Sequence, residues 1–112
     1  MQNKIRTIED FCPGVSQIPL LTYEEQLYHL SRIKNGDAVA TEIFKEHNLR
    51  FVAAVAKRYV GRGMTKEQLM AAGVRGLMAA AERFEEGQGY KFIPYAVCWI
   101  RQYILKELSP HG

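Results

Sequence analysis

The sequence predicts an all-α fold, a compact bundle of about five to six helices, and three observations support that class. Apolar residues recur every three or four positions in each long segment, which is the spacing of one helix face. Threonine or aspartate precedes several of these segments and glycine follows some of them, as at helix ends. No segment alternates apolar and polar residues as a half-buried strand does.

Length, charge and cysteine content bound the classes of function. A chain of 112 residues, 47% hydrophobic and 24% charged, is typical of one globular domain, and its net charge of +3 permits a nucleic-acid partner without requiring one. Cys12 and Cys98 stand in unrelated contexts, so we expect no disulfide framework, no metal site and a reducing, cytoplasmic compartment. No apolar run approaches the roughly eighteen residues that cross a membrane.

The folded domain is expected between an arm and a tail. Pro13, Gly14 and Pro19 interrupt the N-terminal segment, which predicts an arm with little structure. The expected division is a poorly structured arm over residues 1–20, a domain over 21–108 with leading helices in 21–47 and the remaining helices in 48–108, and a tail over 109–112.

The two leading helices have clear start signals. Thr22 opens a capping box that Glu25 completes, because each side chain can bond the backbone amide of the other residue. Gly36 is a suitable stop for this helix. Asp37 then caps the second leading helix.

The middle of the chain predicts two further helices. Asn48 begins or continues a segment with one apolar face, formed by Leu49, Val52, Ala53, Ala56 and Tyr59. Thr65 and Gln68 form a second capping box before a long helical stretch. Gly73 and Gly76 lie inside that stretch at a cost of about 1 kcal/mol each. Either the helix bends there or the small residues let another helix approach closely.

The last predicted helix is rich in aromatic residues. Pro94 suits its first turn, where a missing amide hydrogen is harmless. One face is expected to pack in the core and consists of Ala96, Trp99, Ile100, Tyr103, Ile104 and Leu108. A second face carries Tyr95, Cys98, Gln102 and Leu105, with Arg101 and Lys106 beside it and Tyr90, Lys91 and Phe92 just before the helix.

Aromatic rings flanked by cations can receive a nucleobase that has left its duplex. The ring stacks on the base and the cations bind phosphate, while a glutamine such as Gln102 can pair with adenine in the major groove. In the alternative interpretation, Tyr95 and Tyr103 are half-buried core residues with hydrated hydroxyls. The pattern leaves both interpretations open.

A second basic group follows the third helical segment and consists of Lys57, Arg58 and Arg62. These cations either contact a DNA backbone or stabilise a helix end, where positive charge is favourable. The three histidines, His29, His47 and His111, are not spaced for metal binding or nucleophilic catalysis. No phosphate-binding loop occurs either, so we expect neither an enzyme nor a cofactor.

Three separated motifs carry a family resemblance: "NLRFVAAVAKRYVGRGM" at 48–64, "GLMAAAERF" at 76–84, and "GYKF" followed by "WIRQ" within 89–102. In this order and spacing they resemble the second domain of bacterial RNA polymerase sigma factors of the primary type. The helical segment before them is similar to the one that leads into that domain. The resemblance covers roughly residues 20–108.

The resemblance implies a transcription initiation factor with two binding surfaces. One surface docks on a coiled-coil of the largest subunit of the RNA polymerase core. The other recognises the promoter −10 element and captures flipped bases of its non-template strand. An anti-sigma protein is a further partner that the family allows, and no membrane is involved. At positions that match the polymerase contacts this chain has Gln68, Leu69, Ala71, Ala72, Val74 and Met78.

On the DNA side, Gln102 resembles the residue that recognises the upstream base pair of the element. Tyr95 resembles the ring that stacks where the first flipped adenine leaves the helix, and Phe84 a wall of the adenine pocket. The full set at matching positions is Asn48, Phe84, Tyr90, Lys91, Tyr95, Cys98, Trp99, Arg101 and Gln102, with Lys57, Arg58, Arg62 and Lys106 as expected backbone contacts.

Two departures from the family pattern bear on function. Cys98 stands beside Trp99 where the family usually has a second tryptophan, so the wedge that these rings form should be weaker. Ala71, Ala72 and Val74 replace polar residues that contact polymerase in the family. The alternative function is therefore a stand-alone sigma-like helical module that binds a regulator protein rather than promoter DNA.

Overall fold

Helices make up all the regular structure in the computed structural model, which describes residues 5–109. Within that range the α-helices are Ile8–Phe11 (α1), Tyr23–Lys34 (α2), Ala38–His47 (α3), Leu49–Ala56 (α4), Lys66–Arg83 (α5) and Phe92–Leu108 (α6), and 3₁₀ helices cover Val15–Gln17 and Lys57–Tyr59. The described residues contain no strand, so the all-α prediction is confirmed. Residues 1–4 of the expected arm and 110–112 of the expected tail, with His111, lie outside the described residues.

The predicted helix starts are formed by the side chains that the sequence indicated. The Thr22 hydroxyl accepts from the Glu25 amide at 3.1 Å, and the Glu25 carboxylate accepts from the Thr22 amide at 2.8 Å. Thr65 and Gln68 repeat this exchange at the start of α5. These bonds satisfy amide groups that no helical carbonyl can reach, and this fixes where each helix begins.

The N-terminal segment differs from the arm that its proline and glycine content predicts. Within residues 5–20 a third capping box, between Thr7 and Asp10, starts α1, and Phe11 and Val15 are buried. Gly14 turns the chain between them with φ near +90°. The physical reason is burial: two apolar anchors pack on the protein, and the glycine shapes a tight turn instead of loosening the chain.

The centre of the fold is the packing of α5 against α6. A Cβ atom on Gly76 would lie 2.7 Å from the Ile100 Cα and 2.7 Å from the Trp99 carbonyl oxygen. On Gly73 it would lie 2.6 Å from a methyl group of Val52. Since α5 is one continuous helix through both positions, the close-approach explanation of these glycines is correct and the bend is not needed.

The buried face of α6 is narrower than predicted. Its buried residues are Phe92, Ala96, Ile100, Ile104 and Leu108, one every fourth position. Trp99 and Tyr103, which were expected on the core face, are only half-buried at its edge. They lie about 100° round the helix from their buried neighbours, so Trp99 packs against the edge of the core and neither ring is fully buried as a core residue would be.

An ion pair joins the two central helices at their surface. The Arg75 guanidinium on α5 lies 3.1 Å from the Glu107 carboxylate on α6, and both side chains are about half exposed.

In residues 5–109 no helix is long and apolar enough to span a bilayer.

Candidate nucleic-acid interface

Four aromatic rings follow one another along α6 and the turn before it. Tyr90 stacks on Tyr95 with ring centroids 5.3 Å apart and planes 22° from parallel. The Trp99 ring centroid lies 6.1 Å from that of Tyr95, and the Tyr103 ring centroid lies 6.4 Å from that of Trp99. We call these four residues the ring ladder. Their spacing arises because positions 95, 99 and 103 recur every four residues on a helix, so consecutive rings are neighbours on one side.

A second layer of rings supports the ladder from inside. Phe84 is 3% exposed and contacts Tyr90 at 5.8 Å, Tyr95 at 5.5 Å and Phe92 at 5.4 Å. It is the C-cap residue of α5, so its position depends on where that helix ends. Phe92 in turn contacts Phe44 of α3. The ladder is therefore backed by rings that are fixed in the core.

Exposure separates the members of the ladder. Tyr90 is 46% exposed, whereas Tyr95, Trp99 and Tyr103 are half-buried. The half-burial of Tyr95 and Tyr103 agrees with the interpretation that they only pack against the core. The exposed Tyr90 ring stacked on Tyr95 goes beyond that interpretation, because it extends the aromatic surface into solvent.

Positive charge lies along this surface. The Arg83 guanidinium is centred over the Trp99 ring at 5.0 Å, a cation–π geometry. Lys91 and Arg101 are exposed, and the Lys91 amino group lies 5.8 Å from the Tyr23 ring of α2. Sequence reasoning missed Arg83 and Tyr23, since only the packing of α5 and α2 beside α6 brings them to the rings.

The solvent face of α6 forms an open depression next to the ladder. Its volume is about 540 Å³ and it is lined by Cys98, Trp99, Gln102, Tyr103, Leu105, Lys106 and Ser109. Its polar side chains include the exposed Gln102 amide, which can form hydrogen bonds, and the exposed Lys106 amine, which can bind phosphate. The structure thus brings together, on one face, most of the α6 residues that the sequence selected.

The basic group after α4 adjoins the same helix. Arg58 and Arg101 line one depression of about 260 Å³ between the 3₁₀ turn and α6. The Arg62 guanidinium lies 5.3 Å from the Tyr59 ring. Lys57 is half-buried, while the two arginines of this group are exposed. The folded chain therefore places this basic group beside the aromatic helix.

Asn48 does not belong to this surface. Its side chain is fully buried, where it exchanges hydrogen bonds of 2.8 and 3.0 Å with Gln26 of α2 and donates to the Phe44 carbonyl at 2.8 Å. A buried amide needs such partners, and these leave no atom free for DNA. The expected contact between Asn48 and a DNA strand is thus at odds with its position, which is that of an internal link between helices.

The expected polymerase-binding residues divide between the surface and the interior of α5. Gln68 and Ala71 are exposed, and Val74 and Met78 are half-buried. Leu69 and Ala72, in contrast, are fully buried. The last two pack in the hydrophobic core, because three-residue steps along a helix return to its inner face.

The described residues contain no group of three or more histidine, cysteine or acidic side chains that could hold a metal ion. His29 and His47 each lie near a backbone carbonyl, of Glu25 and Pro19 respectively. Both cysteines have free thiols, with Cys98 exposed. The surface thus offers rings, cations and the Gln102 amide, which are groups that can bind a ligand.

Comparison with known proteins gives consistent matches. The family model described as sigma-70 region 2 matches residues 44–111. A protein named RNA polymerase sigma factor SigA, from Clostridium acetobutylicum, is 45% identical over 95 residues, which are 85% of this chain and 25% of that protein. A protein of the same name from a Bacillus species is 42% identical over 95 residues, with the same coverage. The chain spans about a quarter of the length of these curated relatives.

Proposed function

Since the chain belongs to the sigma-70 region 2 family, we propose that it takes part in transcription initiation by docking on the RNA polymerase core and by recognising and helping to open the promoter −10 element. The observation that carries the DNA half of this proposal is the ring ladder, with its exposed end at Tyr90 and its cations beside it. The chain acts by binding, without catalysis.

The ring ladder receives bases of the non-template strand that have left the duplex. Flipping a base costs a few kcal/mol, and stacking on an aromatic ring returns about 1–3 kcal/mol per base. These amounts nearly cancel. The domain therefore captures a strand that has begun to open, and the polymerase core supplies the remaining free energy.

Individual side chains have separate roles in this proposal. Tyr95 stacks at the point where the first flipped adenine leaves, and Phe84 forms the wall behind it. Gln102 recognises the base pair upstream, since its exposed amide lies farther along α6. Trp99 acts as a wedge, and Cys98 beside it offers a thiol in place of a second ring.

The backbone of the strand is held by cations on either side of α6. Lys91, Arg101 and Lys106 are exposed along the helix, and Arg58 and Arg62 extend the positive surface beyond it. Binding of phosphates by these cations releases counterions, so the affinity falls steeply with salt concentration.

The polymerase-binding surface is the exposed face of α5, with Gln68, Ala71, Val74 and Met78. Its partner is the coiled-coil of the largest polymerase subunit. Ala71 and Val74 make this face more apolar than it would be with polar residues there, so contacts with polymerase depend more on apolar packing.

The DNA role is tested by titrating a fluorescent single-stranded oligonucleotide containing TATAAT at two salt concentrations. We expect weak binding that falls with salt and that Tyr95→Ala and Gln102→Ala reduce further. Lys66→Met, a substitution at the far end of α5 from Phe84, is the control for a change away from the ring ladder. Equal binding by the wild type and both ladder variants would overturn the assignment.

Docking is tested separately by pull-down with the core polymerase. We expect a complex with the largest subunit that Gln68→Ala or Val74→Asp weakens and that Tyr95→Ala leaves intact. Failure to bind the core would favour the alternative of a module that binds a regulator protein, for which the apolar residue Ala71 on the α5 face is the supporting observation.

A further inference from the structure

The segment that connects α5 to α6 carries two residues of the proposed DNA site. Residues 84–91, here the 84–91 segment, begin with Phe84, whose ring backs the ladder, and include Tyr90, its exposed end. Gly87 and Gly89 both have positive φ, a conformation that glycine adopts at no steric cost. The conformation of this segment therefore decides where both rings lie.

Helix α2 contacts the 84–91 segment at both of its ends. The Lys34 amino group, on the last residue of α2, donates a hydrogen bond to the Phe84 carbonyl. Tyr23, on the first residue of α2, presents its ring to the Lys91 amino group at 5.8 Å. A helix of 12 residues spans about 16 Å between these contacts, so the two ends of the segment are held at opposite ends of α2.

Beside the Lys34 contact the packing of α2 against the segment is incomplete. A cavity of about 330 Å³ lies there, lined by Leu27, Leu30, Ser31, Lys34, Asn35, Phe84 and Glu86. Apolar contact alone thus does not hold the segment against α2. The hydrogen bond from Lys34 to the Phe84 carbonyl adds to this contact, because a charged donor makes a stronger hydrogen bond than a neutral donor does.

The Phe84 carbonyl has no partner within α5. Phe84 is the C-cap, with extended backbone angles of φ −69° and ψ 135°, and carbonyl groups at a helix end must find partners outside the helix. Lys34 supplies that partner. The same bond thus fixes the end of α5 and the origin of the Phe84 side chain.

We propose that α2 is a positioning element of the DNA site, in which Lys34 and Tyr23 hold the two ends of the 84–91 segment and so place Phe84 and Tyr90 to receive a flipped base. This inference rests on the proposed function. Neither Lys34 nor the bulk of α2 touches the base. The attachment of α2 to the protein does not depend on Lys34, since Gln26 bonds Asn48 in the interior.

The test measures base selectivity, which a merely structural role would not change. Two labelled strands are compared by fluorescence anisotropy, one containing TATAAT and one with an abasic site at its second position. The wild type should prefer the intact strand by about tenfold, from the loss of one stacked base. Lys34→Met should reduce that ratio by about fivefold, and Tyr23→Leu by about twofold.

Two further variants act as controls. Lys34→Arg keeps a charged donor and should retain most of the selectivity. Lys66→Met removes the same charge from the first residue of α5, about 27 Å along the helix from Phe84, and should leave the ratio unchanged. Urea unfolding shows whether each variant is folded. If Lys34→Met does not fold, the selectivity of Tyr23→Leu tests the positioning role instead.

The outcomes separate this inference from the function on which it rests. A wild type that prefers the intact strand, with Lys34→Met and Tyr23→Leu showing the same preference, overturns the positioning role alone. A wild type that does not distinguish the two strands overturns both. Equal weakening on both strands by Lys34→Met also counts against positioning, because it shows a loss of phosphate contact.

Discussion

A single hydrogen atom in place of a side chain at Gly76 decides how closely α5 and α6 approach. A Cβ there would meet the backbone of Ile100 and Trp99 at 2.7 Å, and backbone atoms of a helix cannot move without moving the helix. At Gly73 the nearest atom is a side-chain methyl of Val52 at 2.6 Å, which has some freedom to shift. The two glycines therefore tolerate substitution differently.

We predict that Gly76→Ala destabilises the protein by about 2 kcal/mol, more than Gly73→Ala does. Overpacking a close helix contact costs about 1–3 kcal/mol or more, and the better helix propensity of alanine returns about 1 kcal/mol. Urea unfolding followed by Trp99 fluorescence measures both. Equal stability of the two variants would contradict the close backbone contact.

Asp37 gives the protein a dependence on acidic pH. The Ala40 backbone amide, and then the Arg32 guanidinium, hold the pKa of this carboxyl below its ordinary value of 3.8. A carboxyl whose pKa is lowered by folding stabilises the protein at pH values above its unfolded-state pKa. That stabilisation is lost as the pH falls through the pKa of the folded state. We predict that the stability advantage of wild type over Asp37→Asn shrinks from pH 7 to pH 3, as measured by urea midpoints. A constant advantage would show that only the neutral cap matters.

The elements of this fold differ in how far the sequence predicts them. Helix starts at Thr22, Asp37 and Thr65 were predictable, because a cap is a local interaction between residues three apart. The burial of Asn48 was not, since its partner Gln26 lies 22 residues away in sequence. α1 was missed for the same reason: the burial of its apolar residues depends on distant helices.

The candidate site shows the same division. The aromatic and basic residues of α6 could be selected from pattern and resemblance, and the structure brings most of them onto one face. Whether a ring on that face is buried, half-buried or exposed depends on the angle of α6 against α5. The close approach of the two helices at Gly76 is a contact between distant parts of the chain, so Trp99 and Tyr103 could not be placed from their spacing alone.

At the scale of α6, Cys98 is the place where the aromatic surface can be enlarged. We predict that Cys98→Trp binds the TATAAT strand about tenfold more tightly than the wild type, because a second ring beside Trp99 adds one stacking contact. Anisotropy titration measures the change. Cys98→Leu adds apolar area without an aromatic face and should gain little; if both variants gain equally, stacking is not the cause.

Across the whole molecule, charge is distributed to favour one polyanionic partner at modest strength. The net charge is only +3, so the affinity for DNA depends on where the cations lie. Arg58 and Arg101 line one depression although they are 43 positions apart in the chain. Their meeting links the basic group after α4 to the aromatic helix in one continuous surface.

We predict that Arg58→Gln lowers the slope of log affinity against log salt concentration for single-stranded DNA by about 0.7, the value for one phosphate contact. The loss should be the same for strands of different sequence, because phosphates carry no sequence information. Titrations at four salt concentrations give the slope. An unchanged slope would show that Arg58 contacts no phosphate and that DNA binds only on the ring-ladder side of α6.

The paired amides of Gln26 and Asn48 have a consequence for how the molecule opens. If α2 swung outward, Asn48 would stay inside the protein but lose both of its hydrogen bonds to Gln26, and leaving a buried polar group without those bonds is energetically costly. Fraying turn by turn is therefore discouraged, and the helix should come away in one cooperative event. Amide hydrogens throughout the middle of α2 should then exchange with solvent at a common rate.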